Sequence, residues 1–262
     1  MPDDQPLILT VTPNPCVDKT VFVKAYEPGQ FIRADRYVCI AGGKGVNVSR
    51  AIRRLGGRTE AFVIVGGHTG AQVVEYIERG DHVPCRAAVV ADDTRTITTI
   101  YEEEPKRQTA FFEPGSRITD DEAERIIGEF ADSIREARVV AFCGTVSDPT
   151  LQELYANLIP IAHESNLVTI LDSHGAEFKA GVAAAPYMVK PNLAEAAEFC
   201  GYALDSKPKR WEAVARFHDA GVKLVVISLG AEGALVSQGD ESFQAIAPEI
   251  EEVNAVGSGD AL

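Results

Sequence analysis

The chain has 262 residues, 45% of them hydrophobic and 24% charged, and its formal net charge is −14. This length and apolar content provide a core for one large α/β domain or two small ones, while the acidity disfavours nucleic acid and anionic membranes as partners. The five cysteines are dispersed and form no C-x-x-C pair, which predicts reduced thiols. The first residues are polar, unlike a signal peptide, and no apolar run is long enough to span a bilayer. Together these features predict a cytoplasmic protein.

The first elements along the chain are predicted to be a buried strand, a pair of strands and a helix. Leu7–Thr12 is a short apolar run that ends at a proline-rich turn, which is typical of a buried strand. Residues 17–23 and 37–40 predict two strands that pair around the turn at 27–29. A glycine-rich turn then leads into a helix, because apolar residues recur three and four positions apart from Val48 onward.

The middle of the chain predicts a lid. After a strand at 60–65 and a helix at 71–79, three short strands at 87–91, 96–101 and 108–112 follow one another without a helix between them. Such strands are typical of an antiparallel insertion rather than of a parallel sheet. We therefore expect segments 16–40 and 86–113 to form a small antiparallel β lid.

The second half alternates strands with helices. Thr119-Asp120-Asp121-Glu122 is a capping box that opens a helix. Further strands are predicted at 139–143, 168–171, 187–189 and 224–229, and further helices at 150–164, 192–200 and 208–220. This alternation predicts one α/β domain over residues 1–262, with a doubly wound, mostly parallel sheet flanked by helices. Ligands of such sheets bind at the carboxyl ends of the strands, where the glycine-rich turns converge.

Two stretches in the first half have residue types suited to a sugar. Asp18 follows a strand end, where a carboxylate can accept hydrogen bonds from two sugar hydroxyls or simply be a solvated turn residue. Gly42-Gly43-Lys44-Gly45 lacks the spacing of a P-loop. Its glycines let a backbone lie against a sugar, with Asn47 on hydroxyls and Lys44 on a phosphate; the alternative is a tight turn before a helix.

Three further stretches suit phosphate, metal or nucleotide. Arg95 can grip a phosphate with two N–H groups, or be an exposed lid residue. Asn192 and Glu195 lie one helical turn apart and can hold Mg²⁺ through water, or act as an N-cap and a helix-start glutamate. The run from Ser228 through Gly230 to Gly233 can carry a nucleotide phosphate or ribose, or be a hairpin turn.

The glycine turn at residues 66–70 follows a strand, as a dinucleotide-binding loop does, but its glycine spacing is wrong and a lid comes next. A nicotinamide dehydrogenase is therefore disfavoured.

The final stretch, Gly257-Ser258-Gly259-Asp260, has the composition of an anion site at a helix start. Free backbone N–H groups there attract an anion, and an adjoining aspartate can take a proton from an attacking hydroxyl. Taken alone, it can equally be an ordinary surface turn.

Taken in their order along the chain, the motifs resemble those of the ribokinase-like (PfkB-type) carbohydrate kinases. The resemblance is greatest to the 1-phosphofructokinase and tagatose-6-phosphate kinase branch. The resemblance rests on stretches spread over nearly the whole chain: Asn14-Pro15-Cys16-Val17-Asp18, Gly42 to Asn47, Lys190-Pro191-Asn192 with Glu195, Ser228-Leu229-Gly230 with Gly233, and Gly257 to Asp260. The branch is indicated by Arg33, Lys44, Thr94-Arg95 and Glu113-Pro114-Gly115.

The resemblance implies a role for each matching residue. The sugar ligands would be Asp18, Gly42, Gly43 and Asn47, and the ligands of its existing phosphate Lys44, Arg95 and Arg33. The transferring phosphoryl group would meet the N–H groups of Gly257, Ser258 and Gly259, with Asp260 as the base. The nucleotide site would contain Lys190, Asn192, Ser228, Gly230 and Gly233. ATP and Mg²⁺ would be required, with Mg²⁺ held through water by Asn192 and Glu195.

Two departures from the family pattern leave alternative functions open. Residues 143–148 replace the family's Gly-Ser-Leu-Pro stretch, which puts part of the substrate contacts in doubt. Family members also continue beyond the final motif, so we expect either a fragment or a truncated relative. A non-catalytic sugar-binding protein and a kinase for a free sugar or nucleoside are the alternatives. Apolar lid residues predict a homodimer formed through the lid; examples are Val21, Val23, Val89 and Ile97.

Overall fold

The computed structural model describes residues 5–247. In chain order its strands are β1 (Leu7–Thr12), β2 (Cys16–Val23), β3 (Arg36–Gly42), β4 (Arg58–Gly66), β5 (Cys85–Val90), β6 (Thr96–Glu102), β7 (Arg107–Phe112), β8 (Ala137–Cys143), β9 (Val168–Asp172), β10 (Met188–Val189), β11 (Leu224–Ser228), β12 (Ala234–Gln238) and β13 (Glu241–Ala245). The helices are α1 (Lys44–Arg54), α2 (Gly67–Glu75), α3 (Asp120–Ser133), α4 (Leu154–Glu164), α5 (Gly175–Ala183), α6 (Leu193–Cys200) and α7 (Lys207–Asp219). A π-helical turn (Tyr76–Gly80) and two 3₁₀ turns (Pro149–Leu151 and Gly230–Glu232) complete the regular structure of this part of the chain.

The main sheet has nine strands in the order β13-β12-β11-β10-β9-β8-β1-β4-β5. Every neighbouring pair from β11 to β5 is parallel, and β12 and β13 add an antiparallel hairpin at one edge. Parallel neighbours need crossover connections, which helices supply for most of the pairs. The predicted α/β architecture with a mostly parallel sheet is confirmed.

Helices cover both faces of this sheet, as the side chains of β4 demonstrate. Phe62 and Ile64 lie in a core with residues of α3, α4, α5 and α7. Val63 and Val65, which point to the opposite face, lie in a second core with residues of α1 and α2. Burial on both faces explains why the central strands read as nearly continuous apolar runs.

The lid is a separate sheet of four strands in the order β3-β2-β6-β7. Its two outer pairs are antiparallel and its central pair, β2 with β6, is parallel. The predicted boundary of the second lid segment was wrong, because β5 pairs with β4 at the edge of the main sheet. Val89 therefore belongs to the main sheet, and Val23 is buried rather than exposed.

The helices agree with the predictions except for α5. The capping box of α3 is formed: Glu122 N donates to Thr119 Oγ1 at 3.3 Å, and Thr119 N donates to Glu122 Oε2 at 2.9 Å. Helix α5 was not predicted because its two glycines lower its intrinsic propensity, and burial of Phe178 stabilises it instead. Within the described chain, we find no helix with the length and apolarity needed to cross a membrane.

Candidate active site

A pocket of about 140 Å³ lies where β1 and β8 end, next to the first turn of α1. Its lining residues come from five separate segments of the chain: Thr12, Asn14, Gly43, Lys44, Arg95, Cys143, Gly144, Thr145 and His174. The carboxyl edge of a parallel sheet is the expected place for a ligand. Three of the lining residues, Gly43, Lys44 and Arg95, were predicted from the sequence.

The turn before α1 brings backbone close to the pocket wall. Gly43 has φ 121°, a conformation that side-chain-bearing residues rarely adopt. A Cβ atom there would lie 2.7 Å from Thr12 Cγ2, so no other residue fits. Lys44 follows as the first residue of α1, and its Nζ lies 3.0 Å from Asp172 Oδ1 and 3.5 Å from Glu195 Oε1.

Arg95 gives the pocket its second cation. Its Nη2 donates to the Asn14 carbonyl oxygen at 3.1 Å, which fixes the guanidinium at the pocket wall. Arg95 Nε and Thr12 Oγ1 are buried, and neither has a hydrogen-bond partner among residues 5–247. Buried polar groups are normally satisfied, so unpartnered ones in a small pocket indicate a bound ligand. The two nearby cations favour an anion such as a phosphate.

The Gly144–Thr145 turn forms another wall of the pocket, and hydrogen bonds to neighbouring segments fix its position. Gly144 N donates to the Asp172 carbonyl at 2.8 Å, and the Gly144 carbonyl accepts from Tyr155 Oη at 2.6 Å and from Ser173 Oγ at 2.8 Å. Burial raises the pKa of the Tyr155 hydroxyl well above its ordinary value, so it remains a donor. Although residues 143–148 depart from the family pattern, Cys143, Gly144 and Thr145 line the pocket.

Asp18 and Asn47 adjoin the pocket through the Gly42-Gly43 turn rather than lining it. A Cβ atom on Gly42 would lie 3.0 Å from Asp18 Cβ, so this glycine allows the aspartate to pack against the turn. Asn47 Oδ1 accepts from Arg50 Nη1 at 2.8 Å, and Arg50 also donates to the Ala41 carbonyl at 2.7 Å. The same guanidinium makes two hydrogen bonds to Asp81, at 2.6 and 2.8 Å. Arg50, which sequence reasoning missed, thus fixes the orientation of the Asn47 amide.

We expect Asp18→Asn to stabilise the protein. Burial raises the pKa of the Asp18 carboxyl, an effect that Arg50 partly opposes. The ionised carboxylate is therefore disfavoured by folding, and it lowers stability at neutral pH. Thermal unfolding at pH 7 should show a higher midpoint for the variant, and the difference should shrink as the pH falls and Asp18 takes up its proton.

If Asp18 binds the sugar of a kinase, as the resemblance implies, the same variant should lose roughly 10- to 100-fold in kcat/KM for that sugar, because a hydrogen bond to a charged group contributes about 1.5–3 kcal/mol. A lower unfolding midpoint at pH 7, or unchanged kcat/KM, would contradict the assignment of Asp18 as a desolvated sugar ligand.

The segment after β10 brings Lys190, Asn192 and Glu195 to the same edge of the sheet. Lys190 is buried, and its Nζ lies 3.0 Å from Asp172 Oδ2. Asn192 and Glu195 form a capping box, in which each backbone N–H donates to the other side chain at 2.9 Å. Glu195 Oε1 lies near Lys44 and, at 3.7 Å, His174 Nδ1.

The contacts of Asn192 and Glu195 indicate how these residues could interact with Mg²⁺. Among residues 5–247 there is no group of three or more His, Cys, Asp or Glu side chains that could hold a metal ion. Asn192 Oδ1 and Glu195 Oε2 already accept hydrogen bonds in the capping box. The two side chains therefore suit contact with the water shell of Mg²⁺ rather than direct ligation, and the predicted role stays a prediction.

The turn from Ser228 to Gly233 joins β11 to β12 as a hairpin. Ser228 N donates to the Pro191 carbonyl at 3.0 Å, and Ser228 pairs with Asn192 in an isolated bridge. Gly233 has φ 94°, and a Cβ atom there would lie 1.9 Å from the Ala245 carbonyl oxygen. Two predicted nucleotide-site segments therefore lie side by side, whereas neither lines the 140 Å³ pocket.

Two predicted parts of the site remain, Arg33 and the terminal motif. Arg33 is exposed in the segment between β2 and β3 and does not line the pocket. The motif Gly257, Ser258, Gly259 and Asp260 lies outside the described residues. Sequence reasoning missed Thr12, Asn14, Asp172 and His174; the available signal was that each lies at, or within two residues of, the carboxyl end of a strand.

Comparison with known proteins agrees with this architecture. The sequence pattern of a family described as "pfkB family carbohydrate kinase" matches residues 11–262. The 1-phosphofructokinase of Xanthomonas campestris is 32% identical over 259 residues, which cover 97% of this chain and 81% of the relative. The ATP-dependent 6-phosphofructokinase isozyme 2 of Mycobacterium tuberculosis is 29% identical over 262 residues, which cover 99% and 76%.

Solved structures agree as well. The crystal structure of phosphofructokinase-2 from Escherichia coli in complex with fructose-6-phosphate superimposes with a TM-score of 0.89 at 27% identity. The match covers 98% of this chain and 84% of that one. The predicted ribokinase-like fold is thereby confirmed.

Proposed function

The chain belongs to the pfkB family of carbohydrate kinases, and from that membership we propose that it transfers the terminal phosphoryl group of ATP to a hydroxyl of a phosphorylated ketohexose. The observation that carries the substrate class is the 140 Å³ pocket with its two cations, Lys44 and Arg95, and the unpartnered Arg95 Nε. A pocket of this size and charge suits a phosphate that the sugar already carries. The reaction is of the 1-phosphofructokinase or tagatose-6-phosphate kinase type.

The sugar itself is proposed to lie against the Gly42-Gly43 turn. Asp18 accepts hydrogen bonds from its hydroxyls, and Asn47, oriented by Arg50, makes a further contact. Gly43 leaves the backbone open to close approach. This arrangement places the acceptor sugar between the lid and the carboxyl edge of the main sheet, with its phosphate next to Lys44.

The nucleotide is proposed to bind along the adjacent segments that contain Lys190, Asn192, Ser228, Gly230 and Gly233. The bridge between Asn192 and Ser228 supports this, because it joins two predicted nucleotide segments into one surface. Mg²⁺, when bound, neutralises charge on the phosphates, and Asn192 and Glu195 would contact it through water. The need for ATP and the scattered cysteines, which lack a C-x-x-C pair, support a cytoplasmic location.

Asp260 is proposed to be the general base that takes the proton of the acceptor hydroxyl. Backbone N–H groups of Gly257, Ser258 and Gly259 are proposed to stabilise the transferring phosphoryl group. Phosphoryl transfer depends mainly on positioning and charge stabilisation, so such groups are the expected catalytic parts. Support for these roles comes from the match of the chain to the family through residue 262.

The test is an assay of the intact protein with ATP and a panel of acceptors. Fructose 1-phosphate, fructose 6-phosphate and tagatose 6-phosphate are compared with fructose, ribose and adenosine. We expect turnover with at least one phosphorylated ketohexose. Turnover only with unphosphorylated acceptors would contradict the substrate class, and sugar-phosphate binding without turnover would indicate a non-catalytic relative.

A homodimer through the lid is the proposed assembly. Asp18 pairs with Ile40 and with Ile97, and Ile97 pairs with Phe112, so these side chains share one face of the lid. Ile40 and Phe112 are 42% and 67% exposed. Together with Val38 they form an apolar surface next to the sugar site, and such surfaces typically pair with another subunit.

Light scattering at micromolar concentration is expected to give twice the protomer mass. Phe112→Asp should shift the protein to monomers, because a carboxylate on the covered face would be desolvated. Phe243→Asp is the matched control, since Phe243 is also exposed but lies on β13 of the main sheet. A monomeric wild-type protein would contradict the proposal.

A further inference from the structure

One buried carboxylate lies between the two lysines that the proposed function assigns to different substrates. Asp172 ends β9, and its side chain is 4% exposed. Its Oδ1 lies 3.0 Å from Lys44 Nζ, and its Oδ2 lies 3.0 Å from Lys190 Nζ. The first contact has the geometry of a hydrogen bond, whereas Oδ2 makes none, so Lys190 is held by charge alone.

We propose that Asp172 is a positioning residue that couples the sugar-phosphate site to the nucleotide site by acting as a shared counter-ion of Lys44 and Lys190. The inference rests on the proposed function, which assigns Lys44 to the sugar phosphate and Lys190 to the site of the nucleotide and its phosphates. Asp172 itself contacts neither phosphate. Its role is to hold the two ammonium groups in place so that the acceptor and the donor are aligned.

The position of Asp172 suits this role. β9 lies inside the main sheet between β8 and β10, so its end is a rigid support. The Asp172 backbone carbonyl also accepts the N–H of Gly144 at 2.8 Å, which ties the same residue to the pocket wall. Lys44 also lies near Glu195, whose Oε1 faces His174 Nδ1 as well. Lys190 is ion-paired only with Asp172 among the described ion pairs.

The sharing of Asp172 between the two lysines should affect the affinity for the sugar phosphate. With both lysines present, the single charge of Asp172 is shared between Lys44 and Lys190. Removal of the Lys190 charge leaves Asp172 to pair with Lys44 alone, which strengthens its competition with an incoming phosphate. The sugar phosphate should then bind more weakly, although Lys190 belongs to the nucleotide site.

The experiment measures fructose 1-phosphate, fructose 6-phosphate and tagatose 6-phosphate binding to the intact protein by calorimetry, without nucleotide. Lys190→Met is expected to weaken binding of the preferred sugar phosphate by at least about fivefold. Lys223→Met, which removes an exposed lysine before β11, is the matched control and should leave binding unchanged. In the Asp172→Asn background, Lys190→Met should change binding by less than about twofold.

Turnover provides a second readout. Asp172→Asn is expected to lower kcat at least about tenfold without weakening sugar-phosphate binding, because the cations remain but are no longer oriented. A purely structural role would lower the unfolding temperature without this split between kcat and binding.

The experiment distinguishes failure of the proposed function from failure of the proposed coupling. If the wild-type protein binds no sugar phosphate, the proposed function and the coupling both fall. If the wild-type protein is active and Lys190→Met binds sugar phosphate as tightly as the wild type, the coupling alone is overturned. This comparison does not require the Asp172→Asn variant to fold.

Discussion

Replacement of Asp260 by asparagine is expected to lower kcat by about 10²- to 10⁴-fold, the usual contribution of a general base. Asparagine has nearly the same size as aspartate but cannot take the proton of the acceptor hydroxyl. Sugar-phosphate binding should therefore persist, because its proposed ligands, Asp18, Lys44 and Arg95, are left unchanged by the substitution. The measurement is single-turnover phosphate transfer, with calorimetry for the binding step.

Asp240→Asn is the matched control for this variant. Asp240 is exposed in the turn between β12 and β13, so its replacement should leave both turnover and binding unchanged. An Asp260→Asn protein with turnover near that of the wild type would show that another group accepts the proton. Loss of sugar-phosphate binding together with turnover would point instead to damage of the substrate site.

Replacement of Arg95 by methionine is expected to raise KM for the phosphorylated ketohexose by about 30-fold or more. Loss of one partner of a buried charge pair typically costs about 2–5 kcal/mol, much of it from the charge left without a partner. In the wild type, Arg95 is fixed at the pocket wall by the Asn14 carbonyl, and its Nε is ready to donate. Methionine keeps much of the length of the side chain while removing every donor.

The specificity of that effect distinguishes a phosphate ligand from a structural residue. Any activity on free fructose should change little, because the free sugar carries no phosphate for Arg95. Arg86→Met is the control: Arg86 is a half-exposed arginine of β5 that pairs with Glu60, away from the pocket. Equal losses on fructose and on its phosphates would refute Arg95 as a phosphate ligand.

The wrong assignment of β5 to the lid shows which feature of the fold the sequence did not specify. Strands β5, β6 and β7 follow one another without a helix, and this pattern favoured one antiparallel insertion. In the fold, β5 pairs with β4 of the main sheet, while β6 pairs with β2 of the lid. Strand partners are chosen by tertiary packing, and the composition of a short strand does not specify them.

The structure also shows which local roles two of the motifs have. For Asn192 and Glu195, the capping box is present, and Glu195 Oε1 also faces Lys44. For the stretch from Ser228 to Gly233, the hairpin turn is present, and it lies beside Asn192. The local hydrogen-bonding roles are thus present, and the site roles of the same residues stay predictions.

By itself, the sequence determined the architecture class and the residues suited to bind sugar and phosphate, because periodicity, glycine turns and charged side chains are local properties. The tertiary structure alone decided which of them meet. Lys44 and Asp172 are 128 residues apart in the chain, and only the order of the parallel strands brings them to 3.0 Å. The strand ends pointed to the region of Asp172 but not to its ion pairs, because an ion pair depends on distance in space, and the spacing of residues along the chain does not report it.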